Sequence, residues 1–244
     1  MQELPGDADT FIDMAPVANG YDDVVGWWTA DKLGLLANPG EGCDLRDTTD
    51  ENLAKIEVAL VNYLRQNGSL PCPAQPEDFD PLGDPLGIAP ASCSGSGDDG
   101  VVPFRTLGLA QGIAQDGFAR LFTYHVDLAY TDTVGADLVE FCAENNDDIE
   151  VTDLNGEDVV DFGDTPIVYV LVSHGQNGYG HYEAGSANQV DANDGTPFED
   201  ENADDDGDYV DAPLLASGVN AGFDDEVRWQ TRDNMAAAAG NPCP

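Results

Sequence analysis

A chain of 244 residues with 41% hydrophobic content can bury one good core or two small ones. Its 48 Asp and Glu against 8 Lys and Arg give a formal net charge of −40, which repels nucleic acid and anionic membrane, attracts cations, and excludes a nucleic-acid partner. Such a balance suits brine, seawater or abundant divalent cation, while 27 Gly, 15 Pro and several apolar runs argue that the chain folds rather than staying an acidic coil.

Residues 1 to 47 read as an N-terminal segment and residues 48 to 244 as a globular domain. Met1 to Thr10 has neither a basic region nor an apolar one, and no stretch approaches the roughly 20 apolar residues that cross a bilayer. Membrane attachment would therefore run only through a helix absent from this chain. Gly20 to Lys32 aligns without a gap on Gly222 to Asn234, with 7 identities in 13 positions. A repeat demands an account. Either both copies are acid-capped amphipathic helices anchored by Trp27 and Trp229, or the N-terminal copy fills, in the same or a neighbouring subunit, a slot like that of the C-terminal copy. On the second account Trp27, Trp28 and Trp229 are assembly residues.

Residues 49 to 66 have the period of an amphipathic helix, with Leu53, Ile56, Leu60, Tyr63 and Leu64 on one stripe. Thr48 and Glu51 form a capping box, and Asn67-Gly68 supplies the stop. Pro71 to Gly100 is a loop whose prolines forbid regular structure, and a loop this long is functional or pinned. Thr106 to Gln115 predicts a short helix or turn, and Ala119 to Asp127 a strand. Ile149 to Leu154, Asp158 to Phe162 and Pro166 to Ser173 are further strands, and the apolar run Ile167 to Val172 makes the last of them central. It ends in a turn, Ser173 to Gly178, with Gly175 and Gly178 at positive φ and His174 satisfied by backbone. Ser173 and His174 point to opposite faces and make no nucleophile and base pair. His125 and His181 have no recognisable partner.

Ala184 to Pro213 reads as an acidic surface loop. Within it Asn202, Asp204, Asp206 and Asp208, with Gly207 for a sharp turn, place hard oxygen ligands at alternate positions, as calcium loops do. The bidentate Glu of an EF-hand is missing, and solvated surface is the bland alternative. Phe223 to Ala239 predicts a second amphipathic helix, with Asp224 and Asp225 at its positive end.

Several of these segments recur together in one family. Leu70 to Ala74 (LPCPA), Val102 to Leu109 (VPFRTLGL), Ser173 to Gly178 (SHGQNG), Glu201-Asn202 with Asp208, and Phe223-Asp224-Asp225 with Trp229 stand in the order found in bacterial type IV pilin-like and pseudopilin-like proteins. The chain resembles the soluble part of such a protein, from about Leu53 to Trp229. Where the family has Asp-x-Trp-Gly, this chain has Asp116-Gly117-Phe118-Ala119. The resemblance implies an exported, non-enzymatic subunit of an extracellular filament or a type II secretion-like apparatus, at the bacterial cell surface or passing through the periplasm. Its partners would be other copies of itself or related pilin-like subunits. It also raises the expectation of calcium, since relatives bind it. The competing readings are a calcium-binding extracellular matrix or adhesin module and a halophilic secreted hydrolase.

Of the cysteines, Cys43, Cys72, Cys93, Cys142 and Cys243, none has C-x-x-C spacing, and zinc is not expected. Disulfides suit an exported chain, and Cys72 with Cys93, flanking the Pro-rich loop, is the expected pair. The expected fold is α+β: an N-terminal helical segment, the amphipathic helix on one antiparallel sheet of four to six strands, and long acidic loops.

Overall fold

The computed structural model describes residues 41–78, 87–93, 98–131, 138–160, 165–183, 185–186, 188–190, 195–204, 206–215, 218 and 220–244. Trp27, Trp28 and the N-terminal copy of the repeat lie outside them. The chain divides into two units between Asp44 and Leu45, and nearly all described residues belong to the second.

Helix α1 (Glu41–Asn67) starts well upstream of the expected capping box, which places Thr48 and Glu51 inside it. Nothing between Cys43 and Thr48 breaks a helix, so the register runs through. Thr49 Oγ1 donates to Leu45 O at 3.1 Å and accepts from Gly117 N at 2.9 Å, tying the helix to a later turn. Leu53, Ile56, Leu60 and Leu64 are fully buried, while Tyr63 is half-buried. The helix stops as expected: Gly68 has φ +73° and its N–H donates to Leu64 O at 2.7 Å.

The stripe of α1 joins the core beside a three-stranded antiparallel sheet of β1 (Thr123–Val126), β3 (Ile167–Ser173) and β5 (Glu226–Thr231), with β3 central. A second, parallel pair joins β2 (Glu150–Thr152) to β4 (Asp208–Val210). The architecture is α+β, but its strands divide into two small sheets rather than one antiparallel sheet. Every residue of β3 is buried. Val168, Tyr169 and Leu171 pack with Leu53, Ile56 and Leu60, whereas Ile167, Val170 and Val172 pack with Val151, Tyr209 and Val227. Cover on both faces is why this strand is a continuous apolar run rather than an alternating one. Each such side chain contributes about 1.5–3 kcal/mol by burial.

The C-terminal helix is shorter than its pattern suggests. Glu226–Thr231 is strand, and only α4 (Arg232–Ala238) is helical, with Thr231 Oγ1 accepting from Asn234 N at 3.4 Å. Val227, Trp229 and Thr231 alternate, and pairing with β3 overrides the helical period. The account of the repeat as two helices therefore fails for this copy. Trp229 lies opposite Val170, and its Nε1 donates to Asp211 Oδ2 at 3.2 Å. The strand expected from Asp158 shrinks to one bridge, Thr152 with Asp158, and Asp161 and Phe162 lie outside the described residues. Two short helices, α2 (Leu138–Ala143) and α3 (Pro197–Glu201), and three single 3-10 turns, Pro76–Asp78, Gln111–Ala114 and Leu128–Tyr130, complete the described elements; the second turn lies within the helix or turn expected from Thr106 to Gln115.

Cys72 and Cys93 form a disulfide, and Cys142 pairs with Cys243, tying α2 to the C-terminus. Two disulfides suit a non-cytoplasmic, oxidising compartment. Among the described residues no helix is long and apolar enough to cross a membrane.

Candidate functional site

The turn that follows β3 is the hub of the polar structure. Gly175 and Gly178 have φ of +53° and +77°, and Gly178 N donates to His174 O at 2.9 Å. Close approach also requires glycine here: a Cβ on Gly175 would lie 2.4 Å from Asp224 Oδ1, and one on Gly178 would lie 2.1 Å from Arg120 Nε. The Arg120 guanidinium donates to the carbonyls of Gly175 and Gln176. His174 is buried with Nε2 against Thr123 Oγ1 at 2.8 Å, so a side chain and not backbone holds that nitrogen. Burial lowers its pKa to about 3 and keeps the ring neutral. Ser173 Oγ donates to Asp116 Oδ2 at 2.9 Å, which leaves Ser173 and His174 engaged elsewhere and not with each other. His125 and His181 do have partners, Tyr209 OH at 2.7 Å and Gly178 O at 2.5 Å.

Three acids close around the turn. Asp224 and Asp225 immediately precede β5, and Asp224 Oδ2 accepts from Gln176 N at 2.7 Å and Asn177 N at 3.2 Å. Glu199 belongs to α3, where it completes a capping box with Thr196: Thr196 N donates to Glu199 Oε2 at 2.6 Å, and Glu199 N to Thr196 Oγ1 at 3.3 Å. Asn177 Nδ2 reaches Glu199 Oε1 at 2.5 Å, joining turn to helix. All three acids are buried, and one carboxylate oxygen from each lies within 4.8 Å of the others. Phe198 and Phe223, ring centroids 5.7 Å apart, belong to a small apolar cluster next to them in the chain. Burial first, and neighbouring acids second, push the carboxyls of Asp224 and Asp225 above the usual range; the amides on Asp224 and Asn202 on Asp225 pull the other way.

Asn202 is turned inward rather than toward the acidic loop. It accepts from Val210 N at 2.8 Å, and its Nδ2 faces Val210 O at 3.4 Å and Asp225 Oδ2 at 3.0 Å. Of the expected ligands, the structure brings Asp206 and Asp208 within 4.8 Å of Glu201, in a more exposed set. Asp204 neighbours them electrostatically: partial burial, then Asp206 and Glu201, raise its carboxyl to about 6. Gly207 makes the sharp turn at φ +96°, where a Cβ would lie 2.6 Å from Asp148 O. Both acidic sets could hold a metal ion.

Sequence reasoning missed Glu199, quoted Glu201 only as part of a family motif and not as a ligand, and assigned Asp224 and Asp225 to a helix cap. The signal was present in the alternation from Glu226 to Thr231, which makes the acids before it the entry to a strand. Set against protein-family models, curated proteins and solved structures, the chain matches none of them.

Proposed function

We propose that this chain is the globular part of an exported pilin-like subunit that assembles with its own copies or related subunits into an extracellular filament or type II secretion-like apparatus. The observation that carries this reading is where the shared motifs spend their polar groups. Asp224 holds the amides of Gln176 and Asn177, Asn177 holds Glu199, and Asn202 holds both Val210 and Asp225. Tyr124 OH donates to Pro71 O at 3.1 Å, and Ala74 pairs with Val101, fastening the LPCPA segment to the one that follows. Motifs that tie one another in place suit a structural subunit better than a reactive centre.

Two further features support it. The long helix α1 packs its stripe with the antiparallel sheet just ahead of Leu70 to Ala74, as the resemblance implies. Ala119, at the position of the family's glycine, has φ +65°. Calcium is the cation this reading assigns to the more exposed set of Glu201, Asp206 and Asp208, whose donors are hard oxygens. The competing adhesin or matrix reading shares the calcium but not the assembly. Chemical cross-linking on intact native cells, followed by mass spectrometry, separates them. Links from this chain to itself or to pilin-like subunits are expected; links only to unrelated matrix proteins would overturn the filament reading.

A further inference from the structure

We infer that Glu199, Asp224 and Asp225 together bind a buried calcium ion that locks the Ser173 to Gly178 turn to α3 and to the start of β5. This site is separate from the exposed one suggested by the Asn202 to Asp208 spacing, and it does not depend on the filament reading.

The first ground is charge. Three carboxylates converge within 4.8 Å, all buried; Arg46 acts on Asp224 through its field, but among the described residues no lysine or arginine stands within ion-pair distance of any of the three. Buried carboxylates stay charged only when paired or metal-bound, and otherwise take up protons. The second ground is independent of the clustering. Asp224 and Asp225 are 9% and 6% exposed, and the Oδ1 of each is sealed from solvent with no hydrogen-bond partner. Their Oδ2 atoms, by contrast, are held by Gln176 N, Asn177 N and Asn202. One oxygen fixed by donors and the other left open is how an outer shell orients carboxylates toward a metal. Gly175 keeps its side of Asp224 Oδ1 free of a side chain.

The donor set names the ion. It holds no sulfur or imidazole, which disfavours zinc, and it is buried, whereas magnesium demands near-octahedral geometry and retains several waters. Calcium accepts about 6–8 oxygens in flexible geometry.

The test uses the full chain, treated with chelator and titrated with CaCl2 at about 1 M NaCl so that diffuse attraction is screened. Asp225→Asn removes one charge, and the double variant Asp206→Asn with Asp208→Asn disables the exposed set. We expect at least one calcium per chain that survives in the double variant and binds at least tenfold more weakly to Asp225→Asn. Melting temperatures should cross: without calcium Asp225→Asn melts above the wild type, and with calcium below it. Equal binding by wild type and Asp225→Asn, loss of all binding in the double variant, or no binding at all would overturn the proposal. If Asp225→Asn does not fold, the double variant decides: calcium binding retained there at one ion per chain supports the buried set, and its loss overturns the proposal.

Discussion

Replacing Asn202 distinguishes an internal tie from a surface ligand. Its side chain is 2% exposed and spans three elements: α3, which it follows, β4 through Val210, and the entry to β5 through Asp225. Asn202→Ala strands the Val210 N–H, a buried donor, and leaves Asp225 without its hydrogen-bond donor. A buried group left unsatisfied costs about 1–3 kcal/mol, more when charged, and the small cavity adds to this, so the loss should be about 3–5 kcal/mol. For a domain of this size that corresponds to roughly 6–20 °C in melting temperature. Asn202→Asp is the informative companion. It keeps the acceptor for Val210 N–H but removes the donor to Asp225 and sets two carboxylates face to face. It should therefore be at least as damaging as alanine, whereas a calcium ligand on the loop surface would tolerate aspartate. Thermal and urea denaturation, each with calcium and with chelator, measure both. A loss below about 1 kcal/mol for alanine, together with a retained or improved calcium affinity for aspartate, would refute the internal role.

Stability should fall as pH rises in the cation-free protein. Burial raises Asp224 and Asp225 and takes Glu226 to about 7, so the folded state holds protons that the unfolded chain releases near pH 4. That contribution is complete below the unfolded pKa and is lost as pH rises through the folded ones, at about 1.4 kcal/mol per pH unit per net proton. His174, lowered to about 3, acts in the opposite sense as pH falls below about 6.5, but it is one group against several. Melts in chelator should be higher at pH 5 than at pH 8, and the reverse order would contradict the buried acids. Ala119→Gly should stabilise by about 0.5 kcal/mol, since it relieves a left-handed alanine and concedes part of the gain to a freer unfolded chain; a loss above about 1 kcal/mol in urea melts would be inconsistent with φ of +65°. Removing Cys142–Cys243, with a separation of 101 residues, should cost more than removing Cys72–Cys93, with 21, at about 4.7 against about 3 kcal/mol in the entropic model; equal midpoints for the two double-serine variants would contradict it.

Local patterns in the sequence carried the elements whose partners are also local or whose burial is complete. The stripe Leu53, Ile56, Leu60 and Leu64 and the run Ile167 to Val172 are legible because helical spacing and unbroken apolarity each have one structural solution here. The C-terminus was misread because Trp229 and Thr231 satisfy both a helical and an alternating pattern, and only pairing with β3, more than fifty residues earlier, decides between them. Asn202 and Asp208 looked like one ligand set because alternate spacing in an acidic loop says nothing of direction. The inward turn of Asn202 is set by Val210 and Asp225, which its spacing does not reveal. Glu199 was hidden for a related reason: as the third residue of a capping box it is fully explained locally, and its second role appears only when Asn177 and Asp224 arrive beside it.

The assembly reading is tested most directly by immunogold electron microscopy of native cells, using antibody raised against this folded chain. The account predicts gold arrayed along filaments at the cell surface, absent when the gene is deleted and restored when it is returned. Gold confined to the cytoplasm, or scattered in the medium with no filament beneath it, would contradict the account.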